Sequence, residues 1–268
     1  MKVHYLNCGT LHPRFASVFV PQLSKVPCLC LLIETGDQLL LVDAGFGARD
    51  MDDTGRLGFA NLILNACPDK EQPAIRQIER LGFGSENVRN IICTHLDRDH
   101  AGGLSDFPNA RVHVTLAELD AALNPRGRKE RDRYRRCHFA HGPEWITHEV
   151  TSSEKWYGLE CIRELPGLPP EIMLVPLPGH TRGHCGVAVD TGDGWILHCG
   201  DAYYVKNELE RAPVGVGGFR RVAHINHTEA MRSIERLKMT LKNSNGAVTT
   251  IASHDQFEYK NLFGKPLD

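Results

Sequence analysis

Apolar residues in this chain fall into short runs, each closed by a turn residue. "KVHYLNCG" (2–9), "CLCLLIETG" (28–36) and "QLLLVDAGFG" (38–47) are rich in β-forming residues and stop at glycine, which predicts three strands. Between the last two, "ETGDQLL" predicts a hairpin with Gly36-Asp37 at its tip. The period then changes. In "PAIRQIERLGFG" the residues Ile75, Ile78 and Leu81 recur at helical intervals, with Gly82 as the stop. "VRNIICTH" predicts a buried strand, "HAGGLSDF" the start of a helix or turn, and "ARVHVTLAELDAALN" a strand running into a helix. "IMLVPLPGH", "GVAVDTGDGWILHCGD" and "AVTTIASH" predict further strands. "TEAMRSIERLKMTLKNSNG" puts Ala230, Ile234, Leu237 and Leu241 on one helical face, with Gly246 just past its end. Strand-rich halves with helices at intervals predict two sheets covered by helices, within a single domain spanning 1–268.

One stretch breaks the pattern. Residues 124–157, "NPRGRKERDRYRRCHFAHGPEWITHEVTSSEKWY", carry a dense basic run followed by aromatics and histidines, without the strand periodicity of the flanks. They read as an inserted, partly helical cap placed over or beside the core.

Composition narrows the class only a little. A hydrophobic share of 41% suits a large core, and a net charge of −2 gives no global pull toward nucleic acid or a membrane surface. No run of apolar residues is long enough for a transmembrane helix, and "MKVHYLNCG" lacks the basic-then-apolar order of a signal peptide. A cytoplasmic location is the expectation. The nine cysteines are scattered, with no C-x-x-C pair, and several sit inside apolar runs such as "PCLCLLIE". They read as buried free thiols in a reducing compartment.

The chemistry lies at the strand ends. "NIICT" ends at His95, "MLVPLPG" at His180, "WILHCG" at Asp201 and "VTTIAS" at His254. If these strands lie side by side, His95, Asp97, Asp99, His100, His180, Asp201 and His254 converge on one sheet edge. Seven nitrogen and carboxylate donors are too many for one tetrahedral ion and suit two metals sharing a carboxylate. Structural zinc sites more often use thiolates, so this donor set argues for catalysis.

"THLDRDHAGG", "LPGHTRGH", "HCGDAYY" and the late "SHD" resemble, in order and spacing, the motifs of the metallo-β-lactamase superfamily. The last third, "GDAYYVKNELE", "EAMRSIERLKMTLKN" and "IASHDQ", looks most like its N-acyl-homoserine lactonase group. The motifs run from "VDAG" to His254, nearly the whole chain. The resemblance implies an α/β (α+β) fold of the αββα four-layer sandwich type, with a dinuclear site where the sheets meet. It implies that His95, Asp97 and His180 hold one ion, that Asp99, His100 and His254 hold the other, and that Asp201 bridges. It implies that Asp43 supports the ligand loop and that Tyr204 reaches toward the substrate carbonyl, although Tyr203 stands beside it. Zinc is the first expectation.

The implied reaction is hydrolysis of a small-molecule lactone or carboxylic ester by a hydroxide shared between the ions, with Asp99 and Tyr204 as catalytic residues. Asp97 departs from the family, most of which carries histidine there. Two divalent ions bring +4, against −4 from Asp97, Asp99, Asp201 and a hydroxide; histidine at 97 would leave +1. Neutrality should make bound water harder to deprotonate, so Asp97→His should shift the acid limb of the rate profile to lower pH. The harder oxygen donor also widens the choice of metal to Mn²⁺ or Fe²⁺. A carboxylate there is similar to the glutamate of the flavodiiron proteins, but the chain has no room for their flavodoxin domain.

Most of the run Arg126, Arg128, Lys129, Arg131, Arg133, Arg135 and Arg136 reads as a solvated face, interleaved with Glu130 and Asp132. Arg135 or Arg136 is the candidate to recognise an anionic substrate group, with His138, His141 and Trp145 as further pocket candidates. His184 reads as a structural hydrogen-bonding residue, His198 as core, and His224 and His227 as loop and cap residues. Two rival functions stay open: a phosphodiesterase or nuclease on the same scaffold, with arginines on phosphates, and a catalytically silent ligand-binding member. A slightly acidic chain with no appended nucleic-acid module speaks against the nuclease.

Overall fold

The computed structural model describes residues 1–36, 38–149 and 154–267. Twelve strands occur among them. The first sheet orders β1 (Lys2–Leu11), β2 (Val26–Thr35), β3 (Gln38–Val42), β4 (Val88–Ile92), β5 (Arg111–Thr115) and β6 (Glu144–His148) in sequence. Its first three strands pair antiparallel and the rest parallel. A short hairpin follows, of β7 (Lys155–Trp156) and β8 (Leu159–Glu160). The second sheet comprises β9 (Ile172–Pro176), β10 (Cys185–Asp190), β11 (Trp195–His198) and β12 (Val248–Ile251), in the order β12-β11-β10-β9.

The two sheets pack face to face. Leu29, Leu31, Ile33, Leu40, Val42 and Ile92 of the first meet Leu174, Val187, Val189 and Ile251 of the second. The alternate residues Cys30, Leu32, Leu39, Leu41 and Ile91 face outward onto Ala74 and Ile78 of the helix Ala74–Arg80 and Leu119 of the helix Leu116–Leu123. Burial on both faces is why these strands read as unbroken apolar runs rather than alternating ones. On the far side, Leu237 of the helix His227–Asn243 packs with Met173, Val175, Ala188 and Leu197. The result is helices, sheet, sheet, helices.

Some expectations need correcting. The segment 124–157 is not wholly a cap: Glu144–His148 pairs parallel to β5 and forms the sixth strand of the main sheet. Its short edge position leaves too few buried residues to write a period into the sequence. The helical part is Gly127–Arg133, while residues 150–153 lie outside the described residues. Leu81 is 43% exposed rather than on the buried face, because the helix ends at Arg80. At the predicted hairpin tip Gly36 is in the left-handed region, and Asp37 lies outside the described residues.

The loop after β9 delivers His180 and is clamped by the outer helix His227–Asn243 and the turn before it. Backbone N–H groups of Asn226 and Ile225 donate to the carbonyls of Gly179 and His180 at 2.9 and 3.0 Å, and Ser233 Oγ donates to Pro178 O at 2.8 Å. Gly179 has φ +129°, and a Cβ there would lie 2.1 Å from the backbone nitrogen of Ala230. Gly179→Ala is therefore expected to cost about 2–4 kcal/mol of stability and to displace His180. Thermal or urea unfolding measures this; a loss below about 0.5 kcal/mol would contradict the close approach.

Candidate metal centre

The four strand ends do converge. His95 and Asp97 follow β4, and Asp97 precedes the short helix Arg98–Ala101, which carries Asp99 and His100. His180 follows β9, Asp201 follows β11 and His254 follows β12. Asp97 Oδ2 lies 3.4 Å from His95 Nε2 and 3.2 Å from His180 Nε2. Asp201 reaches both sides: Oδ2 is 3.4 Å from His180 Nε2, and Oδ1 is 3.2 Å from the Nε2 atoms of His100 and His254. Asp99 Oδ2 is 3.4 Å from His254 Nε2. The edge of a tetrahedron with metal–ligand bonds of about 2.0–2.1 Å is about 3.3 Å, so these spacings suit donors around a shared cation.

The imidazoles are oriented from behind. His100 Nδ1 meets Asp43 Oδ2 at 2.8 Å, His254 Nδ1 meets Pro27 O at 2.7 Å, His180 Nδ1 meets Tyr204 Oη at 3.0 Å, and His95 Nδ1 meets Thr94 Oγ1 at 3.0 Å. Thr94 Oγ1 donates to Asp43 Oδ2, so its lone pair is available to accept from His95. With Nδ1 carrying the proton in each ring, four Nε2 lone pairs face a common centre. His95 Nε2 and Asp201 Oδ1 are buried and have no hydrogen-bond partner. Neutral imidazoles turned lone pair to lone pair, with an orphaned nitrogen and carboxylate oxygen among them, fit a divalent cation. Without a cation the charges of Asp201 and Asp43 outweigh burial and raise His100 well above the usual imidazole range, so the neutral His100 that faces a cation is reached by release of a proton.

Two further residues brace the site. Glu118 accepts from the N–H groups of Leu96 (2.9 Å) and Gly183 (3.2 Å), tying the β4 loop to the His180 loop. His184 donates from Nδ1 to Leu177 O and accepts at Nε2 from the Asp201 N–H.

The Metallo-beta-lactamase superfamily model matches residues 23–240. The chain belongs to this superfamily. A probable metallo-hydrolase of Mycobacterium tuberculosis is 38% identical over 263 residues, covering 97% of this chain and 82% of the relative. An N-acyl homoserine lactonase of Bacillus thuringiensis is 26% identical over 249 residues, covering 90% and 88%. Among solved structures, an N-acyl homoserine lactone hydrolase with N-hexanoyl-L-homoserine bound at its catalytic metal centre superposes with a TM-score of 0.73 at 24% identity, covering 99% of this chain and 98% of the other. The sandwich fold and membership among metal-dependent hydrolases are thereby established.

Within this superfamily scaffold, Asp97 has a partner that the sequence reading passed over. Arg133, the last residue of the helix Gly127–Arg133, pairs through Nη1 with Asp97 Oδ2 and lies 2.7 Å from His180 Nε2. The two side chains are only 11% and 13% exposed. Burial alone would raise the Asp97 carboxyl, but the charges of Arg133 and His95 and the hydrogen bond with His180 hold it well below the usual carboxylate range. Burial and the same guanidinium push His180 well below the usual imidazole range, keeping it neutral. The charge count at the centre changes accordingly. The guanidinium adds a unit of positive charge beside the one that aspartate removes, which the count over ions, carboxylates and hydroxide left out.

The other substrate candidates lie elsewhere. A cavity of about 440 Å³ opens above the site, walled by Leu11, Phe15, Phe19, Leu23, Ile63 and Phe219 and floored by Asp97, Asp99, His180, Asp201, Tyr204 and His254. Arg135, Arg136, His138, His141 and Trp145 are not in its walls. Arg135 donates to Arg56 O, Arg136 is exposed, His138 is buried on Asp50 Oδ1, and Trp145 packs on Phe139. The helix ends before Arg135, and the chain turns away from the cavity. From that helix Lys129 and Arg133, one turn apart, and Asp132 line it. Tyr203 points away, donating to Glu258 Oε1 at 3.0 Å. The Cys28 thiol lies beside Asp99 and His254 instead of only filling core space.

Asp43 holds His100 and the Thr94 N–H and hydroxyl together. Asp43→Asn is expected to weaken divalent-metal affinity by about 10–100-fold, read by competition with a chromophoric chelator. Unchanged affinity would contradict this orienting role.

Proposed function

We propose that the protein is a dinuclear metal-dependent hydrolase that opens a lactone or related carboxylic ester bearing an apolar acyl group. The carrying observation is the apolar cavity that ends on five of the seven clustered donors, Asp97, Asp99, His180, Asp201 and His254, and on Tyr204. On this reading His95, Asp97 and His180 hold one ion, Asp99, His100 and His254 the other, and Asp201 lies between, with zinc the first choice because four imidazoles contribute. When bound, the ions supply Lewis-acid polarisation of a carbonyl and lower the pKa of a water.

The chain's own residues do the rest. His180 offers its lone pair at Nε2, so its Nδ1–H donates to Tyr204 Oη and leaves the tyrosine proton free. Burial, together with the Asp201 charge, raises the Tyr204 phenol well above its ordinary range, so it acts as a neutral donor to the developing oxyanion. Asp99 is half-buried on the cavity floor, placed to carry a proton from the attacking water to the leaving alkoxide. The apolar walls would exclude water and seat the acyl chain of a substrate such as the N-hexanoyl-L-homoserine bound at the catalytic metal centre of the solved relative.

A phosphodiesterase reading has less support. The cations at the inner end of the cavity are committed to protein acceptors: Lys129 Nζ to His224 O at 2.7 Å, Arg98 to the carbonyls of Leu57 and Asp132, and Arg133 to Asp97. These three are already engaged by the protein, which weakens any grip on a phosphate; the exposed Arg14 is the remaining basic residue of the described lining.

Metal-reconstituted protein should turn over acyl lactones and aryl esters faster than phosphodiesters. Turnover of bis-p-nitrophenyl phosphate alone would overturn the proposal. Tyr204→Phe is expected to lower kcat by about 100-fold with KM little changed. A change confined to KM would assign the tyrosine to binding instead.

A further inference from the structure

The two halves of the centre differ in one respect. Arg133 Nη1 engages Asp97 Oδ2 and His180 Nε2, two of the three donor atoms at the His95–Asp97–His180 position. One imidazole lone pair cannot serve an N–H donor and a cation together. No arginine or lysine contact is made, among the described residues, with Asp99, His100, His254 or Asp201.

Arg133 is also held in place. Its Nη2 donates to Ala223 O, and the carbonyl of the preceding Asp132 accepts from Arg98, whose Nη1 donates to Leu57 O. The helix is tied down on both sides of the cavity, so the guanidinium is a resident group. A second resting place exists on the same carboxylate. Asp97 Oδ1 is buried and has no hydrogen-bond partner. Moving the guanidinium from Oδ2 to Oδ1 would free Oδ2 and His180 Nε2 while keeping the ion pair.

We propose that Arg133 is a built-in competitor for the His95–Asp97–His180 position. The two metal positions are unequal by construction: Asp99–His100–His254–Asp201 fills first, and the other fills only as Arg133 steps across Asp97. The occupancy of the second ion then follows the supply of divalent metal. The inference rests on the seven residues being the ligands.

The test uses the full chain stripped of metal by a chelator, then titrated with Co²⁺ by visible absorption and with Zn²⁺ against a chromophoric chelator. Wild-type protein should bind two ions in two steps, with affinities separated by about 100-fold or more. In Arg133→Met the gap should narrow by at least about tenfold, through tightening of the weaker step alone. Arg133→Lys, which keeps the charge, should narrow it less. A wild-type protein that takes one ion while Arg133→Met takes two supports the proposal equally. Single-step filling of both positions in the wild type would overturn it, and does not need the variant to fold. So would an unchanged gap in Arg133→Met. No substrate enters these readings, so failure to open lactones would sink the hydrolase proposal and leave this one standing.

Discussion

The ion pair between Asp97 and Arg133 is the contact on which the centre turns. Both charges are almost wholly buried, and removing one partner from such a pair typically costs about 3–5 kcal/mol because the other is stranded. The pair joins the loop after β4 to the helix Gly127–Arg133, and Arg98, between Asp97 and Asp99, grips the same helix through Asp132 O. The motif that carries the donors and the segment that walls the cavity therefore form one interlocked unit. Aspartate can stand at 97 because a guanidinium answers its charge. Conversely, that guanidinium is tolerated beside His180 because burial and its own field keep the imidazole neutral.

The rest of the site is built by rings held from behind. Asp43, Thr94, Tyr204 and the Pro27 carbonyl each fix one imidazole, and each comes from a different part of the chain. The sandwich makes this possible by bringing the ends of β4, β9, β11 and β12 to one edge. Tyr204 is at once a ring support and, among the described residues, the only phenol lining the cavity, so on the proposed function it would link the orientation of His180 to the treatment of a substrate carbonyl.

Much of this was legible in the sequence, for a physical reason. Strands buried on both faces advertise themselves as apolar runs, and four of the runs, β4, β9, β11 and β12, ended on a donor residue, so the convergence of His95, His180, Asp201 and His254 could be anticipated. The glycine-closed β1 to β3 and the helix around Ile234 and Leu237 were equally plain. Arg133 was not, because it is one of seven basic residues in a short stretch and only helical phase separates it from exposed Arg128 and Arg131. Its spacing from Lys129, together with the uncompensated charge of Asp97, was the available signal. The cavity walls come from residues 11–26, 60–64 and 219–223, segments with no common pattern, and the edge strand Glu144–His148 is too short to write a period.

The central claim, that Asp97 and Arg133 act as one unit, is tested most directly by a double-mutant cycle read in metal affinity. Asp97→His and Arg133→Met are made singly and together, and the weaker ion-binding constant is measured in all four proteins. A coupled pair predicts that Asp97→His alone weakens binding, since it leaves an unanswered guanidinium beside the ion. The double variant should recover affinity, with a coupling of about 1–3 kcal/mol. Additive effects within about 0.5 kcal/mol would contradict the account.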